Sequence, residues 1–326
     1  MRYPFIRILK ITLTNKQGKR ITIGGDSQHL SIECKVYKYL STMKDSATVR
    51  IKNLTYTEIV EIIDGGYYDV DIECGYRNRG THKIFSGGVL YISNSLGDRK
   101  TNEVIILCSS KLIARFGQAR LNLTLNSGIN LYSAIRYTLR RAGINNFNIS
   151  SDLESTLKKA NLQDYFSITN STVQEFLQTT SREYENIIAG VNVDNSNNSI
   201  VSILSAKWEN ARHIKIDNDK ILIAGGYPKM TSKGVNLSVV PTYPFMPGDV
   251  IVLDNSIIDI SVSQQSDIYK LYGLKLSEKG EYRIKELSYN LTNRGNDFSV
   301  NIDTYSRTVA ERESKPFRGT GATRSF

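Results

Sequence analysis

The stretch Ser46-Ala47-Thr48-Val49-Arg50-Ile51-Lys52-Asn53-Leu54 decides the fold class. Ala47, Val49 and Ile51 are separated by Thr48, Arg50 and Lys52, a strict period of two. On an extended chain that period sends the apolar side chains to one face and the polar ones to the other. The alternation recurs on both sides. Leu30, Ile32, Cys34 and Val36 are separated by Ser31, Glu33 and Lys35, and Val70, Ile72 and Cys74 by Asp71 and Glu73. Each run reads as a strand with one face on a core and one in water. Gly24-Gly25-Asp26, Asp64-Gly65-Gly66 and Leu96-Gly97-Asp98 supply turn chemistry between them. Gly87-Gly88, inside the run Ile84–Ile92, reads as a bulge or sharp bend of the kind with which barrels turn corners. Only Tyr56–Ile63 departs from the pattern, as a short helix. Residues 1–110 are therefore expected to form a first β domain, an antiparallel sandwich or barrel.

The middle of the chain changes period. Leu131, Ala134, Ile135, Thr138, Leu139 and Ala142 share one helical face, Arg136, Arg140 and Arg141 point away, and Gly143 ends the helix. A second helix opens at Ser171 or Thr172, where Gln174 and Glu175 are placed for a capping box. Its buried stripe is Val173, Phe176, Leu177, Thr180 and Tyr184. The runs Ile187–Val193 and Ile200–Leu204 then flank a polar turn, Asp194–Ser199, as a hairpin. Residues 111–207 read as a small α+β domain.

From Trp208 onward strands return. Val235, Leu237 and Val239 alternate, and Met246-Pro247-Gly248-Asp249 makes a turn before the apolar strand Val250–Leu253. Leu287, Tyr289 and Leu291, then Phe298, Val300 and Ile302, flank the turn Asn293-Arg294-Gly295-Asn296. Residues 208–305 are expected to form a second β domain. Residues 306–326 carry almost no apolar content and read as a flexible tail. Within it Arg312, Lys315, Phe317, Arg318 and Phe326 are candidate partner-docking residues, the charges steering and the rings filling pockets.

Composition narrows the function. A chain of 326 residues is long for one core, so two or three domains are expected. With 40% hydrophobic and 23% charged residues it is neither disordered nor collagen-like. No apolar run approaches the roughly 20 residues that span a bilayer. Arg7 and Lys10 interrupt any apolar signal region, so synthesis in a cytoplasm without a cleaved leader is expected. Cys34, Cys74 and Cys108 are an odd set in apolar stretches and read as reduced core thiols. His29, His82 and His213 are scattered and no CxxC pair exists, so neither a metal nor a cofactor is expected. The 42 Lys and Arg against 32 Asp and Glu give a net charge of +10, yet no block of five or six forms a basic arm. Nineteen Tyr against one Trp suit half-buried strands and subunit interfaces.

Catalytic signatures are missing from the sequence. It has no phosphate-binding loop, dinucleotide fingerprint, zinc-protease motif or nucleophile elbow. Asp194, Ser196 and Asn198 imitate the first ligands of a calcium loop, but Ser199 stands where glycine is needed and Ser205 where glutamate is needed. Asp217 and Asp219 sit in turn-like context. No catalytic residue is assigned, and the chain is not expected to be an enzyme.

One resemblance stands above these readings. The run Ser46–Leu54, then Asp69 to Gly75-Tyr76, then Ile84-Phe85-Ser86-Gly87-Gly88-Val89, then Thr101–Cys108, resembles the opening of the baseplate hub proteins of contractile-tailed phages and related injection systems. The likeness extends to about Tyr305. It implies a mainly β chain with a smaller α+β part, in which two tail-tube-like antiparallel β-barrels accompany an α+β domain. It further implies a homotrimer whose six barrels adapt the six-fold tail tube to the three-fold central spike. The implied partners are the tail tube or a tube-initiator protein, the spike and other baseplate proteins. DNA would pass through the lumen without sequence-specific contact, no membrane would be involved, and the protein would reside in the virion. A β-barrel module binding nucleic acid or glycan is the alternative.

Overall fold

The computed structural model describes the chain except residues 1–5, 26–28, 41–44, 97–101, 118, 163–164, 184–186, 191–200, 206, 217–225, 232, 260–276, 278 and 308–326. Tyr184, the turn Asp194–Ser199, Gly97-Asp98, Asp217, Asp219 and the five candidate docking residues of the tail lie outside the described residues.

Residues up to Ser110 form β1 (Arg7–Asn15), β2 (Arg20–Gly24), β3 (Ser31–Tyr39), β4 (Ser46–Lys52), β5 (Tyr67–Tyr76), β6 (Gly80–Leu96) and β7 (Asn102–Ser110). The one helix among them, α1 (Tyr56–Asp64), starts where Thr55 Oγ1 accepts the Glu58 N–H and the Glu58 carboxylate accepts the Thr55 N–H. That reciprocal cap satisfies two of the orphan donors of the first turn.

The middle section contains α2 (Lys111–Phe116), β8 (Arg120–Leu125), α3 (Leu131–Arg141), β9 (Phe147–Ile149), α4 (Ser151–Lys159), β10 (Phe166–Thr172), α5 (Val173–Glu183), β11 (Ile187–Gly190) and β12 (Val201–Ser205). α3 ends at Gly143, whose φ of +83° suits a residue without Cβ. Gly143 N–H bonds Arg140 O and Ile144 N–H bonds Leu139 O, with Leu139 and Ile144 both buried. The last carbonyls are thereby capped and the chain is turned back onto the core. α5 opens on the reciprocal Thr172–Glu175 cap. Leu112, Ile135, Leu139, Leu157, Phe176, Leu177 and Ile203 belong to a core of this section's own.

The last section contributes β13 (His213–Lys215), β14 (Lys229–Met230), β15 (Val235–Val239), β16 (Val250–Val252), β17 (Glu281–Thr292) and β18 (Phe298–Ser306). These join the first seven strands in one 13-stranded sheet, ordered β14-β15-β18-β17-β3-β4-β7-β6-β5-β1-β2, with β16 on β17 and β13 on β16. Every pairing in it is antiparallel except β13 with β16. The described strands of residues 1–110 and 208–305 share one sheet and one core, from Leu9 to Ile302. The reason is the length of β17. Its first residues pair with β16, its last seven with β3, and an irregularity at Ile284/Glu286 separates the two registers against β18.

The sheet also curls. Arg7, at the start of β1, donates to the carbonyls of Gly295 and Asn296 in the β17–β18 turn, although β3, β4, β7, β6 and β5 lie between β1 and β17 in sheet order. Its guanidinium lies 5.2 Å over the Phe298 ring, which packs edge-on against Tyr76. The inner face so enclosed is built from the period-two positions: Ile32, Cys34, Val36, Val49, Ile51, Ile72 and Val104 are fully buried. Each such aliphatic side chain contributes about 1.5–3 kcal/mol by leaving water.

Gly87 and Gly88 lie inside β6, and neither has a positive φ. The irregularity expected at this pair falls just after it, between Val89 and Tyr91, where Leu90 is the extra residue against β7. The glycines are required by close approach. A Cβ on Gly87 would overlap the Ser109 carbonyl oxygen of β7, and one on Gly88 would overlap the Ala114 methyl of α2. The bulge then leaves Leu90 and Tyr91, consecutive residues, both 58% exposed. Gly88→Ala is expected to cost about 1–3 kcal/mol through overpacking. Ala114→Gly in the same chain should restore at least half of the loss, whereas Gly87→Ala, which meets backbone, should have no such partner. Urea-unfolding midpoints of the three variants measure this.

Candidate functional site

The two cores meet at a cleft of about 330 Å³, whose lining includes Asn148, Asp152, Arg212, Met246, Pro247 and Arg283. One wall comes from the α+β section. β9 runs parallel to β12, and Ser150 N–H bonds Ile203 O, which sets α4 and its first-turn Asp152 beside the end of β12. The buried Trp208 anchors the one-turn 3₁₀ helix Trp208–Asn210 that leads out of β12, and Asn210 Nδ2 donates to Asp152 Oδ2 over 2.6 Å.

The other wall is the turn Met246–Asp249, which contains the sequence-assigned Pro247 and Gly248. Asp249 N–H bonds Met246 O, and Asp249 Oδ2 accepts Met246 N–H. Pro247 presets the second position, and Gly248, at φ +98°, meets the demand of a type II turn for positive φ at the third. Asp249 is buried and bound through both oxygens by Arg212, from Nε at 3.0 Å and Nη2 at 2.5 Å. Arg212 also donates to Pro244 O and lies 5.4 Å over the Tyr243 ring.

Arg283 crosses between the cores. It is 5% exposed and gives Nε to Gly248 O and Nη2 to Ser205 O, tying the turn to the end of β12. Burial lowers its pKa to about 10, opposed by Asp249, so the guanidinium remains cationic at neutral pH. With Asp249 engaged by Arg212 and Asp152 by Asn210, the cleft offers fixed charges and carbonyls around an apolar strip of Leu204, Met246 and Pro247. Such a lining is suited to holding a peptide segment.

A second polar group lies inside the β body. Lys38 continues the inward phase of β3 after Ile32, Cys34 and Val36, and it is 2% exposed. Burial lowers its pKa, while Asp45 and Asp249 oppose the shift and Arg212 adds to it. The Asp45 carboxyl accepts Tyr39 N–H, and its carbonyl accepts Ser110 N–H, which aligns β4 between β3 and β7. Burial pushes this carboxyl up to about 7 despite Lys38 and the Tyr39 bond. Burial, with Lys38, pushes His82 down to about 4. The sequence reading stopped at Val36; continuing the period by one step would have marked Lys38.

Cys34, Cys74 and Cys108 are free and buried, and burial raises all three thiols, Cys108 to about 12. They are inert at neutral pH. Among the described residues no group of three or more His, Cys, Asp or Glu is placed to hold a metal ion. Gly87 and Gly88 lie in β6, apart from the cleft, whereas Pro247 and Gly248 form its wall.

The fold is shared with solved structures of tail proteins. The chain matches the 43 kDa tail protein of prophage MuSo2 from Shewanella oneidensis with a TM-score of 0.56 at 9% identity, covering 94% of this chain and 98% of that one. It matches a tail protein from Neisseria meningitidis with a TM-score of 0.54 at 8% identity over 94% and 99% of the two chains. An E. coli component of the type VI secretion system, itself described as similar to T4 bacteriophage tail proteins, matches with a TM-score of 0.52 at 9% identity over 85% and 73%. No protein-family model matches the chain, and no curated protein matches its sequence significantly.

The buried titrating groups act on stability with opposite signs. Asp45, raised in the fold, stabilises below its unfolded pKa and loses that contribution as pH rises towards about 7. His82, depressed in the fold, stabilises above its unfolded pKa and loses that contribution as pH falls towards about 4. Between pH 4 and 6.5 the two slopes oppose each other. Asp45→Asn should therefore leave a protein that loses on the order of 1–2 kcal/mol as pH falls across this window. His82→Gln should leave one that loses a similar amount as pH rises from 4 to 7. Unfolding midpoints against pH read both.

Proposed function

We propose that this chain is the structural hub of a phage-type tail baseplate, a homotrimeric ring between the six-fold tail tube and the three-fold central spike. The observation that carries the reading is a fold shared nearly end to end with a prophage tail protein, 94% of this chain on 98% of that one. The curl of the sheet supports two barrel-like units per chain. One runs from β17 through β3, β4, β7, β6 and β5 to β1, and the other is drawn from β13–β18. Three chains would then present six such units around a lumen through which DNA passes without sequence-specific contact.

In this reading the protein is a virion component, not an enzyme, and its partners are the tube or a tube-initiator protein, the spike and neighbouring baseplate proteins. No helix among the described residues is long and apolar enough to cross a membrane. The bulge at Leu90 supports a subunit interface. Leu90 and Tyr91 stand exposed beside Leu107, their cross-strand neighbour on β7, as an apolar patch on the outer face of the sheet.

The purified protein is expected to sediment as a trimer at micromolar concentration and to appear in electron micrographs as a three-fold ring with a central opening. Tyr91→Asp should weaken the trimer at least about tenfold while leaving the circular dichroism spectrum unchanged. A protein that stays monomeric and binds nucleic acid or glycan would overturn the reading in favour of a β-barrel binding module.

A further inference from the structure

We infer that the cleft between the two cores seats this chain's own C-terminal segment, residues 308–326. The exit point of that segment is the first observation. β18 ends at Ser306, whose N–H bonds Lys233 O, and the next residue, Arg307, places Nη2 at 2.6 Å from Glu209 Oε1. Glu209 belongs to the 3₁₀ turn Trp208–Asn210, and its neighbour Asn210 lines the cleft while donating to Asp152. The exposed Arg307–Glu209 pair adds little stability. Its value is directional, since it delivers the chain to the rim of the cleft.

Length and chemistry agree with that direction. Between Arg307 and Phe317 an extended chain reaches about 30 Å, ample for a cleft that begins beside Glu209. Tethering at the rim also gives the segment an effective concentration on the order of millimolar. Lys315-Pro316-Phe317-Arg318 brings one aromatic ring flanked by two cations. The cleft offers the apolar strip Leu204, Met246 and Pro247 for the ring, and the Asp152 carboxylate, which among the described residues meets no cation, for Lys315 or Arg318. The sequence alone leads one to expect docking on a partner; the exit at Glu209 points to the same chain.

The test is a pair of substitutions in the full chain, Ala211→Cys in the cleft lining and Gly319→Cys in the segment, oxidised in air and separated without reductant. The three native thiols are buried and serve as the background in each single variant. An intrachain disulfide, seen as a faster band at single-chain mass, is expected. Its yield should fall at least about tenfold when Phe317→Ala and Asp152→Ala are added. A disulfide only between chains would place the segment on a neighbouring copy, and no disulfide above background would mean that the cleft does not seat it. Either result overturns the inference.

Discussion

The structure depends on one seam, the antiparallel ladder between β3 and β17 that runs from Tyr39↔Glu286 to Glu33↔Thr292. It joins residues far apart in sequence: Ile32 N–H bonds Asn293 Oδ1 across 261 positions. Loop closure over such a span is tolerable because its entropy grows only as the logarithm of length, about 0.6 kcal/mol per doubling. The return is large. Leu287, Tyr289 and Leu291 meet Lys38, Val36 and Cys34 along the ladder, and all six are buried. Without the seam each half would be an open sheet with its apolar face in water, the condition that promotes edge-to-edge aggregation.

The same seam explains why charge lies in the interior. Where β17 leaves β3 for β16, the buried Arg283, Asp249, Lys38 and Asp45 gather, with the exposed Arg212 at their edge. Burying charge costs several kcal/mol per ion, recovered only when hydrogen bonds and opposite charges surround it. Asp249 meets that condition through two bonds from the exposed Arg212, and Arg283 through two backbone carbonyls. Their positions hold the turn Met246–Asp249 against β12, and so fix the α+β section to the sheet.

Much of this could be read from local pattern. β3, β4, β5 and the β17–β18 hairpin follow from period two, and α3 and α5 from their stripes and end signals, because each is decided by neighbours within a few residues. The seam was not readable, since pairing between β3 and β17 leaves no mark in either strand alone. The strands β13 and β14 have two or three residues, too few to show a period, whereas β16 is legible as an apolar run after its turn. At the cleft, Pro247 and Gly248 stood out because a type II turn demands them. Arg212, Arg283 and Asp152 did not, because their meeting is set by tertiary contact. Gly87 and Gly88 mark the neighbourhood of the bulge, which falls just beyond them, whereas the close approaches of Ser109 and Ala114 to these glycines are set by tertiary contact and leave no local mark.

The central claim, that the β3–β17 seam makes one cooperative body of two sequence-distant halves, is tested most directly by native-state hydrogen exchange. Amides of Val49 and Ile106 on one side of the seam, and of Leu237 and Val300 on the other, should share one opening free energy and one dependence on denaturant. Two separate openings, with β15 and β18 exchanging through an event that leaves β4 and β7 protected, would contradict it.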